Sequence, residues 1–276
     1  MNKLVMGVVV VLLLTGHAAF AAVQYEYFQT SRSEGDERAA DFNARAFIDG
    51  QRSRIDFISG NTYPPGTYMI STDGARRLLF VDPSQKQYTE VSTLGIASAI
   101  GSSKIVVTNL QSSVTRLDDG RVIAGIPTDH YRLTMTYDIT VMFRDMPLKQ
   151  SVRTIIDKWT TVRFGDIADV AFGSPVQTGN DKIDELISAE TTKIKGFPLR
   201  QMVSITTINN TGQTLGSKLV VPTTRTKTRE TTVTAISEMA ADDKMFRVPK
   251  GYQRTDFTDQ VSKSQTQILS TSSSPQ

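Results

Sequence analysis

The sequence predicts a mainly β (α+β) protein. A single antiparallel sheet is expected to curl into an unclosed β-barrel of about 10 to 11 strands, with one or two lid or plug helices. Three observations lead to this class: long stretches in which apolar and polar residues alternate, Asp-Gly pairs between such stretches, and few segments with helical spacing. We expect this domain to cover residues 22–255.

The first residues have the layout of an export signal. Lys3 precedes an apolar run from Leu4 to Leu14, and Ala19-Phe20-Ala21 has the small-x-small pattern of a signal-peptidase site. Residues 1–21 are therefore predicted to be a signal peptide that is removed after Ala21. The apolar run is well short of the roughly 20 residues that span a membrane, so no integral membrane segment is expected after cleavage.

Composition restricts the location and the partners. The chain has no cysteine, which excludes disulfides, thiolate metal sites and the lipid-bearing cysteine of a bacterial lipoprotein. We expect a periplasmic protein without a lipid anchor; secretion beyond the periplasm stays open. The formal net charge of +3 is too small to predict binding to nucleic acid. The polar segment 256–276 is predicted to be disordered.

The stretch from His130 to Phe143 alternates without a break and predicts one long strand. Tyr131, Leu133, Met135 and Tyr137 point to one face, and the residues between them point to the other. Fourteen residues span about 46 Å, which is long beside an ordinary strand of about 5 to 6 residues. We expect such a sheet to bend around its apolar side and to form a concave face.

Turn signals support antiparallel neighbours along the chain. Asp49-Gly50, Asp73-Gly74 and Asp119-Gly120 each separate two alternating segments. Both residues of such a pair tolerate the positive φ of a tight hairpin turn. Each pair is therefore predicted to join two strands that lie side by side.

Two segments depart from the strand pattern. Residues 180–195 are predicted to form a lid helix with a narrow apolar stripe made by Ile183, Leu186 and Ile187. Asn180 is suited to cap its start and Gly196 to end it. The segment from Ser92 to Ser103 predicts a short helix or a mobile loop, and the Gly-rich connection before the lid helix predicts a binding loop.

Side chains suited to catalysis are scarce. After removal of the signal the only histidine is His130, and it is interpreted as an exposed histidine at a sheet edge. Histidine and cysteine metal sites are excluded by number, and no calcium or phosphate loop is present. We predict no enzyme, no catalytic residue, no metal and no cofactor. Arg225, Lys227 and Arg229 share one face of a strand, and a solvated face is favoured over a binding patch.

An apolar cavity on the concave face is the candidate site. Its predicted lining is apolar and mostly aromatic: Phe47, Phe57, Phe80, Tyr131, Leu133, Met135, Tyr137 and Trp159. The residues alone favour the alternative that these side chains fill an ordinary core.

The order of several short motifs resembles the LolA-like superfamily, in particular its uncharacterised exported members. The motifs are "FIDGQRSRIDF", "TYMISTDGARRLLFVDPSQKQYTEV", "IAGIPTDHYRLTM", "DKWTTVRF", "KGFPLRQMVSI" and "MFRVPKGYQ". The resemblance implies an outer-membrane lipoprotein carrier or sensor with a half-barrel, a helical lid and an apolar cavity. The chain differs from the lipoprotein chaperone in its greater length, its polar tail and an insert around residues 174–195.

These observations together predict a periplasmic, non-catalytic binding protein. It would hold an acyl chain, a lipid or another apolar ligand in the concave face of the half-barrel. The alternative is an envelope protein-interaction or stress-sensor module with a filled core and no ligand. Another envelope protein is then the expected partner.

Overall fold

The computed structural model describes residues 22–36, 39–74, 76–92, 105–143, 146–164, 181–209, 214–215, 218–219 and 223–255. The predicted signal peptide, the polar tail, the segment 93–103 and the connection 165–180 lie outside these residues. In the described part, the strands are β1 Ala22–Ser33, β2 Ala40–Asp49, β3 Arg52–Gly60, β4 Tyr68–Ser71, β5 Arg77–Asp82, β6 Gln87–Ser92, β7 Ile105–Leu117, β8 Val122–Ile123, β9 Ile126–Pro127, β10 Asp129–Phe143, β11 Met146–Thr161, β12 Phe197–Asn209, β13 Thr214–Leu215, β14 Lys218–Leu219, β15 Thr223–Met239 and β16 Gln253–Thr255. Helix α1 is Asp181–Thr191, and two 3₁₀ turns are Val162–Phe164 and Asp243–Phe246.

Twelve of the strands form one curled sheet that is not closed into a barrel, in the order β16-β6-β5-β4-β3-β2-β1-β15-β12-β11-β10-β7. This confirms the predicted class and the single unclosed sheet. Consecutive strands β1 to β6 form one meander, and β7, β10, β11, β12 and β15 form a second one. The pairing of β1 with β15 joins the two meanders. One pair, β16 with β6, is parallel, whereas every other described pair is antiparallel.

Bulges bend the long strands. The pairing register shifts three times: β15 has an extra residue opposite Glu26/Tyr27 of β1, β7 has one opposite Thr136–Asp138 of β10, and β12 has one opposite Trp159/Thr160 of β11. An extra residue in one strand increases the local twist and bends the strand. These positions give the long strands the curvature that a flat sheet would lack.

Two of the three predicted hairpins are present, and the third is wrong. β2 and β3 flank Asp49-Gly50, and β4 and β5 flank Asp73-Gly74. After Asp119-Gly120, however, β8 pairs with β9, and β7 pairs with β10 instead. A Cβ on Gly120 would lie 2.3 Å from the carbonyl oxygen of Thr128, so this glycine permits a close backbone approach rather than a hairpin turn.

The described part contains two apolar clusters, which take opposite faces of β2. The first cluster takes alternate residues of β1, β2 and β3, together with residues of β8, β9, β11, β12 and β15: Val23, Tyr25, Tyr27, Phe42, Ala44, Ala46, Ile48, Ile55, Phe57, Ile123, Ile126, Trp159, Phe197, Leu199 and Val233. The second cluster consists of Phe47, Tyr68, Ile70, Val81 and Phe246, and residues 239–252 supply further apolar side chains to it. The C-terminal 3₁₀ turn thereby covers the face opposite the first cluster.

Helix α1 lies within the predicted residues 180–195 and ends at Thr191; residue 180 is outside the described part. After Thr191, backbone hydrogen bonds from Lys193 and Ile194 tighten the chain into a turn. Gly196 then takes a φ of +88°, and a Cβ there would lie 2.4 Å from the Thr161 carbonyl oxygen. The Thr160 hydroxyl donates a hydrogen bond of 2.6 Å to the carbonyl of Lys195, so the exit from the helix is held against the end of β11.

Candidate functional site

One apolar row crosses four strands of the second meander. Leu133 of β10 lies opposite Val114 of β7 on one side and Ile156 of β11 on the other. Ile156 in turn lies opposite Val203 of β12. Directly opposed residues of antiparallel strands share a face, so these four side chains form a continuous line, here called the Leu133 row. The face of the sheet that carries this row is called the Leu133 face.

The neighbouring row is less covered by the protein. Met135 lies opposite Thr154, and Thr154 lies opposite Ile205. Met135 is 9% exposed, whereas Ile205 is 37% exposed. Exposed apolar surface therefore adjoins buried apolar surface on the same face. An apolar molecule could pack against such a surface.

Tyr137 extends this face along β10. It lies opposite Val152, which is buried. Burial raises the pKa of the Tyr137 phenol, and a hydrogen bond with Thr154 opposes that shift. The ring is half-buried and keeps its hydroxyl protonated at neutral pH, so it offers apolar area and a polar tip together.

Basic side chains end these rows on β15. Val203 lies opposite Arg229, Ile205 opposite Lys227, and Thr207 opposite Arg225. All three basic residues, here called the basic row, are exposed. In the described part of the chain, no acidic side chain is within ion-pair distance of them.

The structure does not bring all the candidate lining residues together. Tyr131, Leu133, Met135 and Tyr137 share the Leu133 face of β10. Phe57 and Phe80 lie 6.3 Å apart between ring centroids and pack in or against the first apolar cluster. Both sets lie on the same face of the sheet, because Tyr27, Ala44 and Phe57 continue it across β1, β2 and β3. Their role as ligand contacts stays a prediction.

Phe47 lies on the opposite face. It pairs with Arg54, whereas its neighbour Ala46 pairs with Ile55. Phe47 packs in the second apolar cluster with Phe246. The structure therefore does not bring Phe47 together with the other candidates.

The predicted lid lies beside the edge strand. Helix α1 packs near β7, and Leu186 is half-buried. The side chains of Ile183 and Ile187 fall outside the described part. The use of this helix as a lid therefore stays a prediction.

His130 is buried, which corrects the interpretation as an exposed edge residue. It is 2% exposed, and its strand β10 lies between β7 and β11 rather than at the edge of the sheet. Its ring stacks on Trp159, directly opposite on β11, with centroids 4.1 Å apart. Trp159 consequently shares the face of His130 and Arg132, here called the His130 face, and not that of Leu133.

Two carboxylates flank the imidazole. Nδ1 of His130 lies 2.6 Å from Oδ1 of Asp119, and Nε2 lies 3.0 Å from Oδ1 of Asp157. Arg132 donates to both oxygens of Asp157, over 2.7 and 3.1 Å. Both ring nitrogens are thus engaged, which leaves the imidazole no free nitrogen for a substrate proton. The cluster joins β10, β11 and the chain after β7.

Arginine side chains complete the surroundings of Trp159. The guanidinium carbons of Arg200 and Arg121 lie 4.8 and 5.4 Å from its ring centroid. Such placement over an aromatic face is favourable electrostatically. Sequence reasoning missed this cluster, although the alternation does place His130, Arg132 and Trp159 on strands.

Acid unfolding tests the contact of Asp119. The hydrogen bond with His130 lowers the pKa of the Asp119 carboxyl below its ordinary value of 3.8. A carboxyl with a lowered folded-state pKa stabilises the fold above the unfolded-state pKa and loses that contribution as the pH falls through the folded-state pKa. We expect Asp119→Asn to be less stable than wild type at neutral pH, and the difference in urea unfolding to shrink as the pH falls below the ordinary carboxyl pKa of 3.8. Asp118→Asn is the matched control; a difference at Asp119 that is independent of pH contradicts the prediction.

A separate small groove of about 280 Å³ lies near the far end of the long strands. Asp138 is one of its lining residues and accepts hydrogen bonds of 2.7 Å from both Asn109 and Ser151. These two hydrogen bonds lower the pKa of the Asp138 carboxyl. The polar contacts are satisfied within the protein, so they do not by themselves point to a ligand.

Within the described ranges, no group of three or more His, Cys, Asp and Glu side chains is placed to hold a metal ion. Among the helices of the described part, none has the length and apolar character that crossing a membrane requires.

Comparison with known proteins finds distant likeness in shape. No family model matches the sequence, and no curated protein matches it significantly. One similar solved structure is an outer membrane lipoprotein-sorting protein domain from Vibrio parahaemolyticus, with 7% identity and a TM-score of 0.32 over 83% of this chain and 91% of that one. Another is a DUF1329 family protein from Desulfovibrio piger, with 8% identity and a TM-score of 0.28 over 82% of this chain and 90% of that one. Likeness of this degree assigns no function.

Proposed function

We propose that this protein is a non-catalytic carrier or sensor that holds an acyl chain or another apolar ligand against the Leu133 face. The observation that carries the proposal is the continuity of this face. Buried Leu133 and Val203 adjoin the half-buried Tyr137 and the exposed Ile205 on neighbouring strands of an unclosed sheet. In the proposal this is the concave face, and residues 22–255 work as one exported periplasmic domain.

Burial of hydrocarbon would provide the binding energy. Each methylene moved out of water contributes about 0.8 kcal/mol, so a few methylenes against Ile205 and Tyr137 offset part of the cost of association. Helix α1 would act as the lid, because it packs beside β7, the edge strand of the same meander. Movement of helix α1 away from β7 would leave the strand pairs from β10 to β15 intact.

The absence of a catalytic role is part of the proposal. His130 has a carboxylate at each ring nitrogen, and Arg132 is engaged by Asp157. Groups that are saturated by internal contacts suit a structural role better than proton transfer to a ligand.

Two isoleucines of β12 give a matched test. Ile205 is 37% exposed on the Leu133 face, and Ile208 is 38% exposed on the His130 face. Replacement by aspartate places a charge on an already exposed site, so both variants should fold. We expect Ile205→Asp to weaken binding of the apolar fluorophore N-phenyl-1-naphthylamine by about tenfold or more, because a charge would be desolvated beside the ligand. Ile208→Asp should bind as wild type does.

The natural cargo is measured separately. Protein purified from the envelope without denaturation is extracted with organic solvent and analysed by mass spectrometry, with refolded protein as the control. A stoichiometric lipid only in the native sample supports the proposal. Equal fluorophore binding by both aspartate variants, or an empty native protein that binds no fluorophore, would overturn it in favour of an envelope-protein interaction module.

A further inference from the structure

The basic row lies on the same face as the proposed ligand surface. Arg229 is opposite Val203 and Lys227 is opposite Ile205, so two basic side chains directly continue two apolar rows. Adjacent strands are about 4.8 Å apart, which places the charges one strand away from the apolar side chains. Arg225 and Arg229 are four residues apart on one strand, or about 13 Å.

The strand beyond β15 adds hydroxyl groups. Ser31 of β1 lies opposite Arg229, and Ser33 lies opposite Lys227. On this side the face therefore changes from apolar side chains on β12 to basic side chains on β15 and hydroxyls on β1. Such a gradient matches a molecule with an apolar end and an anionic end.

The charges of the basic row are unmatched by nearby carboxylates. Glu230, the next residue after Arg229, points to the other face and pairs with Arg200 over 2.7 Å. Glu34 follows the end of β1, and its carboxylate accepts a hydrogen bond of 3.1 Å from the backbone N–H of Thr226. In the described chain the basic row is left to interact with solvent or with an external anion.

We infer that the basic row holds the anionic headgroup of a lipid whose acyl chain lies along the Leu133 face. This inference rests on the proposed function and specifies the class of cargo: a lipid monomer with a phosphate or carboxylate headgroup, extracted from a membrane. Arg225, Lys227 and Arg229 are binding residues, and Ser31 and Ser33 supply neutral donors beside them.

Lipid extraction tests the inference. Vesicles carry fluorescent phosphatidylglycerol or fluorescent phosphatidylcholine with the same acyl chains, and lipid is measured in the protein fraction after the vesicles are removed. We expect wild type to extract the anionic lipid about tenfold better than the zwitterionic one. The preference should narrow at about 1 M salt, where the Debye length falls to about 3 Å.

Two triple variants separate the basic row from net charge. Arg225→Gln/Lys227→Gln/Arg229→Gln should lose most of the preference for phosphatidylglycerol and keep its extraction of phosphatidylcholine. Lys244→Gln/Arg247→Gln/Lys250→Gln removes the same charge from exposed positions near the C-terminal 3₁₀ turn and should behave as wild type.

Each other outcome has a distinct meaning. Equal extraction of both lipids by wild type, or no change in the first triple variant, would overturn the inference and leave the proposed function in place. Binding to anionic vesicles without extraction would overturn the inference in favour of membrane-surface attachment. No extraction of either lipid and no binding of N-phenyl-1-naphthylamine would overturn both.

Discussion

Replacement of Asp157 by alanine is expected to lower the free energy of unfolding by about 3 to 5 kcal/mol. The Asp157 side chain is 3% exposed and accepts hydrogen bonds from Arg132 while it faces Nε2 of His130. Its removal leaves a buried imidazole nitrogen and the guanidinium without their shared acceptor. An unpaired buried polar or charged group costs its full desolvation free energy.

An exposed aspartate on the neighbouring strand provides the control. Asp129 pairs with Arg116 over 2.6 Å, but the two side chains are 45% and 63% exposed. Asp129→Ala should therefore change the free energy of unfolding by about 1 kcal/mol or less. Urea unfolding of both variants measures the contrast. A loss at Asp157 no larger than that at Asp129 would show that the buried cluster contributes little.

Asp157→Asn separates charge from shape. The amide keeps an acceptor oxygen for Arg132 and has nearly the same volume, but it has no negative charge. We expect the free energy of unfolding of Asp157→Asn to lie between that of wild type and that of Asp157→Ala, because charge-assisted hydrogen bonds are about twice as strong as neutral ones. The same urea experiment reports this intermediate value.

Local sequence pattern was sufficient for the faces of β10. The alternation from His130 to Phe143 predicts which side chains share a face, and the register places Leu133 and Tyr137 together as expected. The curl of an unclosed sheet also follows, because such long strands cannot stay flat and covered. These features depend on a period of two and on strand length, both of which are local.

The burial of His130 depends on distant parts of the chain. It requires Trp159 on β11 to lie directly opposite and Asp119 to return from the end of β7. Neither partner can be derived from the residues next to His130. The hairpin predicted at Asp119-Gly120 was wrong for a related reason. Gly120 permits the close approach of the distant Thr128 carbonyl, and residues next to the pair do not reveal that contact.

The separation of Phe47 from Phe57 had a signal in the sequence. Ala46, Phe47 and Ile48 are three consecutive apolar residues, and such a run is typical of a strand buried on both faces. The structure shows this burial, since Ala46 and Ile48 belong to the first apolar cluster and Phe47 to the second. The sequence could not show which residue packs on Phe47, because Phe246 comes from a segment about 200 residues away.

Replacement of Phe57 by alanine is the second large expected effect, a loss of about 3 to 5 kcal/mol in the free energy of unfolding. Phe57 is 2% exposed and its ring centroid lies 4.0 Å from Tyr63 and 5.4 Å from Phe42. The truncated side chain would leave a cavity bounded by these rings. Phe28, which is 37% exposed on the other face, is the matched control, and Phe28→Ala should cost about 1 kcal/mol or less.

Lipid retention then distinguishes two roles for Phe57. A side chain enclosed by aromatic neighbours stabilises the fold whether or not a ligand is bound, so Phe57→Leu should lower stability modestly and leave the amount of copurified lipid per folded protein unchanged. Ile205→Asp should have the reverse profile, with little loss of stability and a large loss of lipid. A marked loss of lipid in folded Phe57→Leu would instead extend the ligand surface from the Leu133 row into the first apolar cluster.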